Sequence, residues 1–265
     1  MTLLREILNL WRSRQLGWVL TRRELAARNA GTAAGWLWAY VQPLLTVAAY
    51  YLVFDVVFAM RLGSHAPTSR VGAFLIVGAL PWMAYCDATM RGMNSLMDAG
   101  SVLQKNPLPP ILFPARAVLA TMLVHGPLLL LLVVGYWRAD HNAWAFLALL
   151  PLWLLQTLFT ALSAYLLAVL AAAVRDTVQV MTFVLSVGIF LSPVLFPVSQ
   201  FPAAWQWVLW LNPMTAWVQG YQAIYLSGQW PMADCWWAML IWIGLVSVAL
   251  NLVLGRCRDQ LVDWL

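Results

Sequence analysis

Residues 111–137 read ILFPARAVLATMLVHGPLLLLLVVGYW, with Arg116 the only Lys, Arg, Asp or Glu in the run. A helix needs about 20 apolar residues to cross the hydrocarbon of a bilayer, and this stretch exceeds that. Working outward, comparable runs occupy 36–60, 71–95, 144–174, 178–197 and 233–255, each bounded by charge, Pro or Gly. The chain is 63% hydrophobic and 9% charged over 265 residues, whereas a soluble domain carries roughly a quarter charged residues. So few charges could not cover a water-soluble core, and the mean hydropathy of +0.77 agrees. The expected fold is an all-α polytopic membrane protein with six transmembrane helices, forming a single transmembrane domain over 1–265.

The ends of the runs give topology. Within the interface segment 1–30, Leu4, Ile7, Leu8 and Trp11 recur at helical spacing against Arg5, Arg12 and Arg14, which predicts an amphipathic helix over 2–29 lying on the membrane. Its scattered charges are unlike a removable signal peptide. Placing both termini in the cytoplasm leaves only Arg61, Arg70 and Arg138 of the fifteen Lys and Arg outside, as the positive-inside rule requires. Between the fifth and sixth spans, 198–232 contains no Lys, Arg, Asp or Glu but has Pro202, Pro213 and Pro231 and several tryptophans. A re-entrant helical hairpin joined at Asn212-Pro213, with its indoles at the outer interface, is the expected form.

Several chemistries are excluded. The only lysine, Lys105, lies in VLQKNP without the glycines of a phosphate-binding loop, so the chain is not expected to hydrolyse ATP by itself, and no cofactor is expected in it. His65, His125 and His141 fall in no metal-ligand pattern, no G-x-S-x-G elbow exists, and Cys86, Cys235 and Cys257 form no C-x-x-C pair and are read as packing residues. The net charge of +5 sits at the edges of apolar spans, which argues against nucleic acid.

The candidate functional residues are few. Asp55 and Asp87 fall inside spans, where a carboxylate is expensive; Arg91, four residues after Asp87, and Arg61, close to Asp55, are the expected partners. Tyr50, Phe54 and Phe58 share one helical face, and Trp82 and Tyr85 open the second span. Such a stripe packs a core, or offers weak sliding contacts to sugar rings. Asp176, with Gln179 three residues on, fits an N-cap for the fifth span after the turn at Arg175. That turn and SVLQKNPLPP (101–110), with Lys105 and Asn106, are the polar cytoplasmic crossings a partner could grip.

RRELAARNAGTAAGWLWAYVQPLL (22–45), GALPW (78–82), VRD (174–176), LSPVLFPVSQFPAAW (191–205) and LNPM (211–214) follow in an order that resembles the permease subunits of type-2 ABC exporters, in the branch exporting lipid-linked O-antigen, capsule or teichoic acid. The resemblance implies a homodimer in the bacterial inner membrane with two copies of a separate ATPase that binds the ATP and Mg. It implies a cytoplasmic gate at Arg23, Glu24 and Arg28, ATPase coupling through Lys105, Asn106, Arg175 and Asp176, and family positions at Trp38 and Pro43. With it, a substrate path along Trp38, Tyr50, Phe54, Phe58, Trp82 and Tyr85 gains ground. Asn29, where an aromatic residue is usual, and Ala34, where leucine is common before Gly35, depart from the pattern. A small-molecule or lipid exporter, a transferase acting on lipid-linked sugar, and a proton-coupled carrier using Asp55 and Asp87 are the rival functions.

Overall fold

The computed structural model describes residues 2–28, 30–33, 35–63, 66–106, 108–136, 142–257, 260, 261 and 264, without the side chains of Thr2 and Trp36. Asn29, Ala34, His65, Arg138, His141 and Arg258 lie outside the described residues. Among the described residues eleven α-helices follow one another: α1 (Thr2–Arg12), α2 (Arg14–Ala27), α3 (Trp38–Tyr50), α4 (Val71–Asp98), α5 (Gly100–Lys105), α6 (Leu112–Tyr136), α7 (Leu149–Ala173), α8 (Asp176–Gly188), α9 (Gln206–Leu209), α10 (Met214–Ser227) and α11 (Ala233–Cys257). There is no sheet among the described residues beyond one isolated bridge between Arg61 and Arg70.

Among the described residues five segments are long and apolar enough to cross a bilayer: Trp38–Val57, α4, α6, Ala143–Ala173 and α11. The expected fifth span, 178–197, is shorter than the sequence suggests. Its helix runs Asp176–Leu191, closing in a 3₁₀ turn at Ile189–Leu191. At 1.5 Å per residue that is about 24 Å, less than the ~30 Å hydrocarbon thickness. Extended backbone at Ser192 then ends it.

α4 is the central post. It packs on α6, α7 and α10 and is buried along most of its length. Small residues make this possible: a Cβ on Gly92 would lie 2.6 Å from Ala164 Cβ of α7. Close approach of this kind is how membrane helices gain dispersion contact where no hydrophobic effect drives them together. Pro81 weakens the α4 hydrogen-bond ladder. Nearby, Gln156 Nε2 donates to Pro81 O at 2.9 Å and Gln156 Oε1 accepts from Tyr221 Oη at 2.8 Å, so the buried amide is satisfied across three helices.

Two apolar clusters mark the two ends of the bundle. One joins Leu96, Leu103, Leu112, Val169 and Leu254, with Leu3, Leu10 and Leu20 against it. The N-terminal helices, the turns after α4 and α7 and the end of α11 therefore share one end. The other cluster joins Phe74, Leu129, Leu149 and Cys235 with Trp217, Tyr221 and Tyr225 of α10.

Three expectations are amended by this packing. The helix over 2–29 is two helices that bend at Ser13, where Ser13 N→Asn9 O and Gly17 N→Ser13 O keep the ladder running. The hairpin at Asn212-Pro213 is unequal, one turn of α9 against the long α10, with Asn212 Nδ2 donating to Gly188 O at 2.8 Å and Asn212 Oδ1 accepting from Met214 N at 3.0 Å. Its indoles are divided. Trp205, Trp207 and Trp230 are exposed, but Trp217 is fully buried, its ring 4.8 Å from that of Phe159.

Candidate functional site

The end of α2 delivers Arg28 into the bundle between α4 and α6. Its Nη2 donates to Thr121 Oγ1 at 2.6 Å and to Ala117 O at 3.3 Å, and its Nη1 lies 3.7 Å from Asp87 Oδ2. Asp87 in turn accepts from Arg91 Nε at 2.7 Å, the i,i+4 pair the sequence predicts. One turn earlier on α2, Glu24 lies 3.8 Å from Arg116, whose guanidinium sits over the Phe113 ring at 5.0 Å. Burial first, then the Arg91 guanidinium, lowers Arg28 below the ordinary arginine value, while Asp87 and Glu24 oppose the shift. A charge this sheltered persists because carboxylate and hydroxyl partners surround it.

Asp87 stands where three cavities meet. A polar one of about 190 Å³ is lined by Arg28, Trp38, Gln42, Pro43, Arg91 and His125. A second, of about 360 Å³, is bounded by Glu24, Asn94, Asp98 and Arg116. The third, about 430 Å³ and apolar, runs between α4 and α8 past Trp82, Cys86, Met90, Leu185 and Ile189. The same face of α4 thus passes from charged groups near Asp98 to apolar ones near Trp82.

The other expected site residues are placed as follows. Trp38 is half exposed at the mouth of the polar cavity. Tyr50, Phe54 and Phe58 form a ladder with ring centroids 6.4 Å apart, on the least buried of the long segments. Their face is kept in line although Tyr51–Val57 winds as a π-helix, a form frequent at functional sites. Trp82 and Tyr85 are buried in the core; Tyr85 stacks on Phe159 at 5.7 Å, and Trp82 reaches the apolar cavity. Arg23 is exposed on α2. Lys105, Asn106, Arg175 and Asp176 are exposed at the end of the bundle that carries α1 and α2, with Asn106 Nδ2 donating to Val102 O at 3.1 Å.

Two expectations about single residues are corrected. Asp55 does not pair with Arg61; its Oδ1 accepts from Gly72 N at 3.0 Å, at the N-terminus of α4. Ala59, at φ +48°, breaks the helix early and returns the chain to α4, while Arg61 Nη1 donates to Met60 O at 3.2 Å. A carboxylate at a helix N-terminus meets unpaired N–H groups and the positive dipole end. Asp176 is not a cap: Arg175 occupies the N-cap position without a side-chain bond, and Asp176 lies in the first turn. Sequence reasoning missed Arg116, Thr121, His125 and Gln156 as members of polar networks. His125 Nδ1 donates to Thr121 O at 3.1 Å. An arginine and a glutamine inside apolar runs were the available signals.

Spanning helices around a charged cleft define a polytopic helical membrane protein. The ABC-2 type transporter family matches residues 3–226. The chain therefore belongs to that family. It is similar to the O-antigen export system permease protein RfbA of Myxococcus xanthus, 30% identical over 237 residues that cover 88% of each chain. A protein of the same description from Klebsiella pneumoniae is 21% identical, covering 79% of this chain and 80% of its own. The polysialic acid transport protein KpsM of Escherichia coli is 22% identical, over 90% of this chain and 91% of its own.

Proposed function

We propose that this chain is the channel-forming permease subunit of an ATP-driven exporter that moves a lipid-linked polysaccharide outward across the bacterial inner membrane. Two copies work with two copies of a separate ABC ATPase, and both termini are cytoplasmic. The observation that carries the reading is the junction at Asp87, where a charged cleft under α2 gives way to an apolar groove along α4 and α8. A lipid-linked glycan carries an anionic head, an apolar tail and a polar sugar chain, and the junction offers charged, apolar and aromatic surfaces to them. Arg23, Glu24 and Arg28 gate this cleft, and the Tyr50, Phe54 and Phe58 ladder offers sugar rings weak aromatic contacts. Relatives whose names specify O-antigen export and polysialic acid transport support the cargo class. The turns at Lys105–Asn106 and Arg175–Asp176 receive the ATPase, and α9 with α10 forms the re-entrant outer segment.

The test is the location of surface polysaccharide in cells that lack the gene and in cells where it is restored with its ATPase, stained intact and after permeabilisation. Polymer trapped inside, released only with both subunits present, is the expected result. Polymer at the surface of the deleted strain would overturn the reading, and absence of all polymer would favour a transferase.

A further inference from the structure

Asp87, Arg91, Asn94 and Asp98 follow one another at spacings of four, three and four, so they form one stripe about 16 Å long on α4. Three guanidiniums stand on or opposite this stripe, and each is taken: Arg28 and Arg91 by Asp87 at 3.7 and 2.7 Å, Arg116 by Glu24 at 3.8 Å. Asp98 is exposed and has no ion pair among the described residues. Charge is therefore divided unequally between the two polar cavities. The smaller, about 190 Å³, has Arg28 and Arg91 against Asp87 alone, which suits a single anionic group. The larger, about 360 Å³, has Glu24, Asp87 and Asp98 against Arg91 and Arg116, one carboxylate in excess. There Asn94 Nδ2 is turned to Met90 O at 2.8 Å, leaving its Oδ1 free to accept.

Among the described residues the rest of the path supplies no cation. Trp38–Val57, which carries the aromatic ladder, has Asp55 as its only charged residue, and that carboxylate is held by Gly72 N. The apolar groove has Asp87 as its only charged lining residue. Arg22 and Arg23 are exposed on α2 and line none of the three cavities, and Arg61 and Arg70 are exposed beyond the ladder, where water and salt screen them.

Resting on the export reading, we propose that the glycan moved by this chain is uncharged: behind one anionic head, its repeating unit offers hydroxyls and no carboxylate, sulfate or phosphate. Sugar hydroxyls donate to Glu24, Asp98 and Asn94 Oδ1, and sugar faces lie on the rings of Tyr50, Phe54 and Phe58, without any need of a counter-charge. A polyanion would bring one like charge after another past Glu24 and Asp98 and find no cation along the ladder. It could engage Arg91 or Arg116 only by displacing Asp87 or Glu24, which would strand that carboxylate in turn.

The polymer that accumulates in cells lacking the gene is isolated, and its uronic acids, sialic-type acids, sulfate and phosphate are counted per repeating unit. None is expected in the repeat. An acidic group in every repeat overturns the proposal and leaves the export reading standing, whereas absence of any trapped polymer overturns the export reading and this proposal with it. The residues are tested on the full chain purified with its copurifying subunits, using maltoheptaose and the heptamer of galacturonic acid, α-1,4-linked chains of equal length that differ in charge, with binding read by saturation-transfer NMR at low salt. Repulsion between carboxylates about 4 Å apart in a partly sheltered site amounts to roughly tenfold or more in affinity, so the wild type should prefer the neutral chain by about that factor, and the gap should narrow as salt rises. Asn94→Lys with Asp98→Lys should reverse the preference. Equal or tighter binding of the acidic chain by the wild type overturns the proposal, as does binding of neither chain or a preference that the double substitution leaves in place in folded protein.

Discussion

Replacing Asp87 with asparagine removes the one carboxylate in ion-pair range of both Arg28 and Arg91 among the described residues. The Arg28 side chain is 6% exposed and its Nη1 is 3.7 Å from Asp87, which keeps 35% exposure itself. Breaking a fully buried pair costs about 3–5 kcal/mol because a charge is stranded, whereas an exposed pair is worth about 0–1 kcal/mol. Ala117 O and Thr121 Oγ1 remain with Arg28, and water reaches Asp87, so the cost falls between these limits, at about 1–2 kcal/mol. Repulsion between Arg28 and Arg91, no longer offset, acts in the same direction.

For a chain of this size the loss corresponds to a melting temperature roughly 2–8 °C lower, measured on the purified protein in one detergent. Arg91→Gln breaks only the exposed i,i+4 pair and should cost no more than about 0.5 kcal/mol. Arg28→Met should cost less in the asparagine background than alone, with a coupling of about 1 kcal/mol in the double-mutant cycle. Export should persist in Asp87→Asn and in its combination with Asp55→Asn, since both carboxylates hold helices together. A variant as stable as the parent with an additive cycle would refute the pairing argument. Lost export at unchanged stability would instead place Asp87 in the export step itself, as a charge relay or as the anchor of Arg28.

Gly92→Ala puts a methyl 2.6 Å from Ala164 Cβ and should destabilise by about 1–3 kcal/mol, whereas Gly244→Ala, with nothing within 4 Å, should cost nothing; thermal melting separates them, and Ala164→Gly should restore the first. Gly72→Ala drives a Cβ to 2.9 Å from the Asp55 carboxylate, so it should weaken the α4 cap and speed hydrogen exchange at the amides of the first α4 turn. Gln156→Leu leaves Pro81 O and Tyr221 Oη without their partner and should cost about 1–3 kcal/mol, with Tyr221→Phe costing less, both read by melting. Asn106→Ala and Arg175→Ala lie on exposed turns and should spare stability while ATP turnover continues with reduced export, measured as the ratio of the two; unchanged ratios would refute coupling there.

The spans were legible because a bilayer imposes length and composition locally, and α4, α6, α7 and α11 stand within a few residues of where the apolar runs put them. The Asp87–Arg91 pair was legible for the same reason, since one turn of helix brings residues four apart together whatever surrounds them. Arg28 meeting Asp87 was not, because the contact depends on how α2 enters between α4 and α6. Asp55 shows the limit most clearly. Its partner is a backbone N–H, which no residue type advertises, and the nearest cation in sequence was the wrong choice once Ala59 turned the chain. Trp217 failed differently: indoles suit interfaces, but α10 packs against α4 and α7, and burial there outweighed the preference.

A chain with so little charge concentrates part of it where charge is costly, and the arrangement has a physical consequence. Glu24, Asp87 and Asp98 line the cavities beneath α2 together with Arg28, Arg91 and Arg116. Opposed charges attract over longer distances than dispersion contacts, which lose about a quarter to a half of their attraction over a gap of roughly 0.5–1 Å. As the proposed gate, α2 held by Arg28–Asp87 and Glu24–Arg116 can therefore shift by a small distance and keep more of its attraction to the bundle than a helix packed on leucines would. The apolar groove along α4 and α8 needs no such tolerance, because Gly188 already lies 2.9 Å, as measured from its would-be Cβ, from the Trp82 ring. On the proposed function α2 is the element that moves and the α4–α8 groove the wall, and stiffening α2 with Glu24→Leu and Arg116→Leu should impair export while leaving the bundle at least as stable as before.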